Sequence, residues 1–211
     1  MRKAIPAYAA LLNVSDRLAV VIGGGGVAAR KVQGLHAAGA RVRVVAPDLV
    51  PPLAARAERG DVQWWQRRWQ AGDCGGAAMV VAATANAAVN RDVAAEAHAL
   101  GVLVNVVDEP EQGNFLVPAV VRRGDLVLAV GTGGRAPGLA GALRRRLERQ
   151  YGAEWGALTS ALGDLRGELP RASDDGAWDQ LLSDAVLRAL RDGDPDFLRD
   201  KVKAWQSSLQ A

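Results

Sequence analysis

A chain of 211 residues has room for one well-buried core and a smaller appendage. With 49% hydrophobic and 23% charged residues its composition is that of an ordinary globular protein, and no apolar run approaches the ~20 residues of a membrane span. The net charge is +3, and the single cysteine, Cys74, excludes an intrachain disulfide, a zinc ribbon and a cysteine-held iron–sulfur cluster.

The opening Met1-Arg-Lys-Ala-Ile-Pro-Ala-Tyr8 contains no apolar stretch long enough for a signal peptide, so a cytoplasmic protein without a membrane partner is expected. Ile5 to Val14 is an apolar lead-in, and Ser15-Asp16-Arg17 turns into the first strand. Leu18 to Ile22 is a short apolar run of the kind buried on both faces of a parallel sheet. It stops at four glycines, Gly23 to Gly26, and a helical pattern begins at once. Val27, Val32, Leu35 and Ala38 share one face of that helix, which Gly39 ends. Arg41 to Ala46 is a second strand, closed by Pro47-Asp48. The unit spans ~30 residues, the length of a dinucleotide-binding β–α–β element.

Pro51 to Arg59 reads as a short helix ending at Gly60. Val62 to Trp65 is a strand, Ala71 to Gly76 a loop, Met79 to Thr84 a buried strand, Asn90 to Leu100 a helix and Val102 to Val107 another buried strand. This alternation predicts a doubly wound parallel sheet ending near residue 112. The pattern then changes. Phe115 to Val121 and Asp125 to Val130 are extended runs separated by Arg122-Arg123-Gly124. Thr132 to Pro137 is a second glycine loop, and Leu139 to Tyr151 is an arginine-rich helix. Trp155 to Leu169, Ala177 to Arg191 and Pro195 to Leu209 read as three further helices, with Asp174 and Asp194 as N-caps.

The glycine stretch fits G-x-G-x-x-A. Gly23 supplies a tight turn, Gly25 lets backbone approach a pyrophosphate, and Ala28 is small enough for helix to pack on strand. The amides and dipole of the helix start then favour phosphate. Asp48 lies about 20 residues on, where an acid binds the ribose hydroxyls of NAD. Arg41 and Arg43 would favour NADP if they turned outward; NAD is the expected cofactor. No Y-x-x-x-K pair exists, because Tyr8 and Tyr151 are followed four residues later by Leu12 and Trp155. Asp108, just past the strand ending at Val107, stands at the carboxyl edge where open α/β sheets bind ligands. By position it is either a partly desolvated general base or a carboxylate that bonds loop amides.

His36 and His98 fall in separate helical patterns, and no metal site is expected. Four lysines (Lys3, Lys31, Lys201 and Lys203) leave 22 arginines among 26 basic residues. Arginine suits carboxylates and phosphates, while a coding bias toward alanine and arginine explains the same count. Trp64-Trp65-Gln66-Arg67-Arg68-Trp69 mixes cations with aromatics as nucleic-acid binders do. Beside a strand end it reads as core packing, and no nucleic-acid partner is expected.

Taken in order, Gly23 to Lys31, Ala82-Ala83-Thr84, Asn105-Val106-Val107-Asp108, Phe115 with Pro118, and Thr132 to Pro137 followed by Leu139-Ala140 resemble the precorrin-2 dehydrogenase and sirohydrochlorin ferrochelatase family. This is the dehydrogenase module of siroheme synthase, and the resemblance covers residues 5 to about 150. It implies NAD-dependent oxidation of precorrin-2, a tetrapyrrole, to sirohydrochlorin, and in bifunctional members insertion of ferrous iron. It implies Asp108 as the essential aspartate and nucleotide contacts at Gly26, Val27, Pro47 and Asp48, with Thr84 at the neighbouring strand end. It also implies a homodimer, giving an α/β fold in three parts: a Rossmann-like NAD-binding domain (1–112), a small α+β dimerisation domain (113–150) and a C-terminal helical domain (151–211). Thr132 stands where the family often has serine. Arg122, Arg123 and Arg135 are candidate contacts for a substrate with eight carboxylates. Gly113-Asn114 and Ala85-Asn86 depart from the family's more acidic pattern. With no methyltransferase domain before Ala211, a stand-alone enzyme is expected. The competing class is a non-catalytic NAD-sensing regulatory protein.

Overall fold

The computed structural model describes residues 5–166 and 175–208. The chain divides into two compact units: Met1–Val117 with Gly133–Arg135, and Pro118–Thr132 with Ala136–Ala211.

The first unit carries a five-stranded parallel sheet of β1 (Leu18–Ile22), β2 (Arg41–Val45), β3 (Gln63–Trp65), β4 (Met79–Ala82) and β5 (Leu103–Val106), in the order β3-β2-β1-β4-β5. From β1 the chain moves outward one way through helix α1 (Gly26–Ala37) to β2 and then α2 (Pro51–Glu58) to β3. From β4 it moves the other way through α3 (Ala87–Ala99) to β5. Crossovers of one hand that run in opposite directions put their helices on opposite faces of the sheet. The packing follows this. Ala28, Val32 and Leu53 of α1 and α2 pack on Ala19, Val21, Val42 and Val44. Val93, Ala94 and Ala97 of α3 pack on Val20, Ile22, Val80 and Val104. Fully buried side chains such as Ile22 and Leu53 stabilise this core by about 1.5–3 kcal/mol each. The arrangement is Rossmann-like, and the strand order reverses between β1 and β4.

No helix joins β3 to β4. The segment after Trp65 instead covers the second face, with Trp65, Trp69, Cys74 and Ala77 in its apolar cluster. Core packing is therefore the structural role of Trp65 and Trp69, while Trp64 donates its indole N–H to the Ala46 carbonyl at 2.9 Å. The segment is pinned by Asp73, a buried carboxylate that accepts from Arg67 at 2.6 and 2.8 Å and from the Gln70 amide at 2.9 Å. Glu96 of α3 accepts the amides of Gly72 and Cys74.

Helix α3 begins three residues before the expected Asn90. Asn86 caps it, accepting from the amides of Ala88 and Val89 at 2.9 and 3.3 Å. That bond gives the Ala85-Asn86 departure a local physical role. Gly113-Asn114 is also explained. Asn114 pairs with the free edge of β5, accepting from Val104 N–H at 2.7 Å and donating to Val102 C=O at 3.2 Å. A β-carbon on Gly113 would stand 2.7 Å from the Val104 carbonyl oxygen.

The second unit holds an antiparallel hairpin, β6 (Ala119–Arg123) and β7 (Leu126–Val130), and helices α4 (Pro137–Gln150), α5 (Glu154–Asp164), α6 (Asp175–Leu181), α7 (Asp184–Arg191) and α8 (Asp196–Ser208). Leu158, Leu181, Val186, Leu190, Leu198 and Val202 form its apolar cluster. Three expectations are corrected here. The first strand starts at Ala119, after Pro118, rather than at Phe115. Arg122 and Arg123 belong to β6, and the turn is Gly124-Asp125. The helix expected over Ala177 to Arg191 is two helices, because Ser183 is extended (φ −67°, ψ 152°) and restarts the chain at Asp184. Asp194 caps α8 through the Phe197 amide at 3.2 Å. Asp174 lies outside the described residues.

Candidate active site

The carboxyl ends of β1, β2, β4 and β5 meet along one edge of the sheet. Gly23 ends β1 with φ +125°, and a β-carbon there would stand 2.4 Å from the Ala83 carbonyl oxygen. At Gly24 a β-carbon would stand 1.9 Å from the Asp48 carbonyl oxygen. The motif as read from sequence gave no role to Gly24; the close approach of β2 does. Gly25 and Gly26 are different: nothing lies within 4 Å of their β-carbon positions. Gly25 is the N-cap of α1, no side chain caps the helix, and no acid occupies its first turn. The leading amides of Gly26 and Val27 and the positive end of the helix are thus left for an anion. Ala28 is fully buried against the sheet. An open backbone cradle over a helix start fits the pyrophosphate of a dinucleotide.

Pro47 and Asp48 are exposed just past β2. The two arginines that would favour a 2′-phosphate are engaged elsewhere. Arg41 donates to the Asp16 carbonyl at 3.0 Å. Arg43 donates to Gln63 at 2.9 Å and lies 4.0 Å over the Trp65 ring. Among the described residues no cluster of three or more His, Cys, Asp or Glu could hold a metal ion.

At the end of β4, Thr84 is tied to two asparagines. Its hydroxyl lies 2.7 Å from Asn90 Oδ1 and 3.0 Å from the Asn86 carbonyl, and accepts from the Asn86 amide at 3.2 Å. Asn90 also accepts from the Thr84 amide at 3.1 Å and donates to the Thr84 carbonyl at 3.0 Å. Neither asparagine was read as a site residue. The available signal was the spacing Asn90, Val93, Ala94, Ala97, which puts a polar residue on the buried face of α3.

Past β5, Asp108 has φ +66°. A left-handed non-glycine residue is uncommon, though aspartate tolerates it better than most, and such residues concentrate at ligand sites. Asp108 is exposed, and the turn carries it off the end of the sheet. Beneath it the buried Asn105 donates to the Phe115 carbonyl at 3.1 Å. Gly134 of the second glycine loop lies close to Pro110, two residues on from Asp108: a β-carbon on Gly134 (φ +77°) would stand 3.6 Å from Pro110 Cγ. Arg135 in that loop is exposed.

In the second unit, Thr132 Oγ1 accepts from the Ala136 amide at 3.3 Å. Arg122 is exposed on β6. Arg123 is committed to the end of α4, donating to Tyr151 and Glu148 carbonyls at 2.8 and 2.9 Å and to the Arg122 carbonyl at 3.1 Å. Three of its five N–H donors go to carbonyls, two of them ones that the end of a helix leaves open.

A doubly wound sheet with a glycine cradle at its switch point defines a dinucleotide-binding protein. A family model described as "Putative NAD(P)-binding" (NAD_binding_7) matches residues 10–119. A siroheme synthase of Chromobacterium violaceum is 39% identical over 197 residues, covering 91% of this chain and 42% of that protein. One from Methylobacillus flagellatus is 36% identical over the same length. The chain thus spans about two fifths of the length of these relatives. Among solved structures, "SirC, precorrin-2 dehydrogenase" superposes with a TM-score of 0.71 at 24% identity, covering 94% of this chain and 100% of that one, a likeness of fold. The chain belongs to this NAD(P)-binding family, and over most of its length it is similar to part of the siroheme synthases.

Proposed function

We propose that this chain is an NAD-dependent precorrin-2 dehydrogenase, oxidising precorrin-2 to sirohydrochlorin. The observation that carries the reading is the Asp108 carboxylate, held left-handed at the sheet edge that also carries the open Gly25–Gly26 cradle. The siroheme synthase relatives supply the substrate class.

In this reading the amides of Gly25, Gly26 and Val27 hold the pyrophosphate, Pro47 and Asp48 take the adenosine ribose, and Thr84 borders the far half. The engagement of Arg41 and Arg43 supports NAD over NADP. When bound, NAD supplies a two-electron acceptor for hydride. Loss of hydride leaves the macrocycle cationic and its neighbouring C–H or N–H acidic. The Asp108 carboxylate accepts that proton and returns it to solvent, for which its exposed position is suited. Arg122 and Arg135 are proposed contacts for substrate carboxylates, and Thr132 a proposed substrate contact. The same carboxylate can take pyrrole protons when ferrous iron, a substrate here, enters the ring.

We read residues 113–150 as the dimerisation segment and 151–211 as a helical domain. In support of a homodimer, Val120 on β6 and Leu139 and Leu143 on α4 leave large apolar side chains exposed. Among the described residues no helix is long and apolar enough to cross a membrane. A cytoplasmic location is proposed with the NAD reading. The test is anaerobic turnover of precorrin-2 with NAD, following NADH and sirohydrochlorin, with a second arm supplying sirohydrochlorin and ferrous iron and following siroheme.

A further inference from the structure

Asn90 is one of three buried polar residues among those described, with Asp73 and Asn105. Every hydrogen bond it makes through its side chain goes to Thr84. The reason lies in the ladder between β4 and β5. These strands pair Ala82 with Val106, and Val107 N–H donates to the Ala82 carbonyl at 2.9 Å. Backbone groups alternate sides along a strand with period two. The N–H and C=O of Thr84 therefore face β5, as those of Ala82 do. A continued ladder would pair them with the Val107 C=O and the Glu109 N–H. The Asn90 amide takes both places, as acceptor at 3.1 Å and donor at 3.0 Å. With its next rung occupied, β5 is released after Val107, and Asp108 turns away at φ +66°.

We infer that Asn90 is a positioning residue for the dehydrogenation: a side-chain rung that stops the β4–β5 ladder and thereby sets both Thr84 and Asp108. The inference rests on the NAD and Asp108 reading above. An apolar residue would pack beside Val93 and Ala94 without the cost of burying an amide, so packing gives no reason for asparagine here.

The test uses the full chain with Asn90→Leu and Asn90→Asp, measuring NAD affinity by titration calorimetry, kcat and KM, Thr84 amide exchange and Tm. Asn90→Leu is expected to weaken NAD binding at least about tenfold, to expose the Thr84 amide to exchange, and to lower kcat through the displaced Asp108. In Asn90→Asp the neutral carboxyl offers an acceptor and an O–H donor, as the amide does; the ionised form offers acceptors only. The atoms Asn90 bonds are all neutral groups of Thr84. NAD affinity of this variant is therefore expected to improve relative to wild type as pH falls from 8 toward about 5, a dependence that simple loss of packing does not produce. Asn90→Asp carries the test if Asn90→Leu fails to fold. NAD affinity and turnover of Asn90→Leu within about twofold of wild type, or an Asn90→Asp affinity parallel to wild type at every pH, would overturn the inference. A wild-type chain that binds no NAD overturns the underlying function instead.

Discussion

A β-carbon on Gly24 would stand 1.9 Å from the carbonyl oxygen of Asp48, so the first glycine loop and the end of β2 meet backbone to backbone. The contact is closed from the other side by Val50 N–H, which donates to the Gly24 carbonyl at 2.9 Å. Gly24→Ala forces one backbone to retreat and moves Asp48 relative to the cradle. We predict a loss of about 1–3 kcal/mol in unfolding free energy and at least about tenfold in NAD affinity. Gly25→Ala, with nothing within 4 Å of its β-carbon, should leave Tm nearly unchanged and weaken NAD alone. Equal stability losses in the two variants would contradict this division of roles.

Asp108→Asn keeps a side chain of the same size that tolerates the left-handed turn, but it cannot accept a proton. Turnover of precorrin-2 is expected to fall by about a hundredfold or more, with NAD affinity within about twofold of wild type. Unchanged turnover would remove the carboxylate from the mechanism.

The Asp73 carboxyl is governed by opposing effects: burial raises its pKa, while the Arg67 guanidinium and the Gln70 amide lower it, and the net shift is downward. A carboxylate depressed in the folded state stabilises fully above its unfolded pKa, near 3.9, and loses that contribution as pH falls through the lowered folded value. Asp73→Asn should therefore cost about 1–2 kcal/mol at neutral pH, with the gap from wild type closing only below about pH 4. Denaturant titrations across that range check it; a gap that closes between pH 7 and 5 would be contrary.

Burial, followed by the nearby Glu96 carboxylate, pushes the Cys74 thiol up to about 12. A thiol that stays protonated in the core is a poor nucleophile. Native protein should resist a thiol-specific reagent at pH 8 and react stoichiometrically only in denaturant. Rapid labelling of the native chain would mean that the Gln66–Ala78 segment opens readily.

The sheet was legible because its signals are local. Leu18 to Ile22 and Met79 to Ala82 are apolar runs, Arg41 to Val45 alternates arginine with valine, all three are closed by glycine, proline or a loop, and each became a parallel strand. Asp108 was legible as a strand-end acid; its positive φ was not, because the release of β5 depends on Asn90, 18 residues upstream. Asn86 was missed as a cap because Ala87 and Ala88 carry no apolar periodicity to mark a helix start. Arg123 looked like a free cation in sequence, and only the proximity of Tyr151 and Glu148 assigns it to the end of α4. The break at Ser183 was hidden by Leu181-Leu182, which extends the helical pattern on both sides.

The decisive measurement is anaerobic incubation of the purified full chain with precorrin-2 and NAD. Stoichiometric NADH and sirohydrochlorin are expected, with turnover severely reduced in Asp108→Asn. Tight NAD binding without any oxidation of active precorrin-2 would contradict it and would favour a nucleotide-sensing role for the same fold.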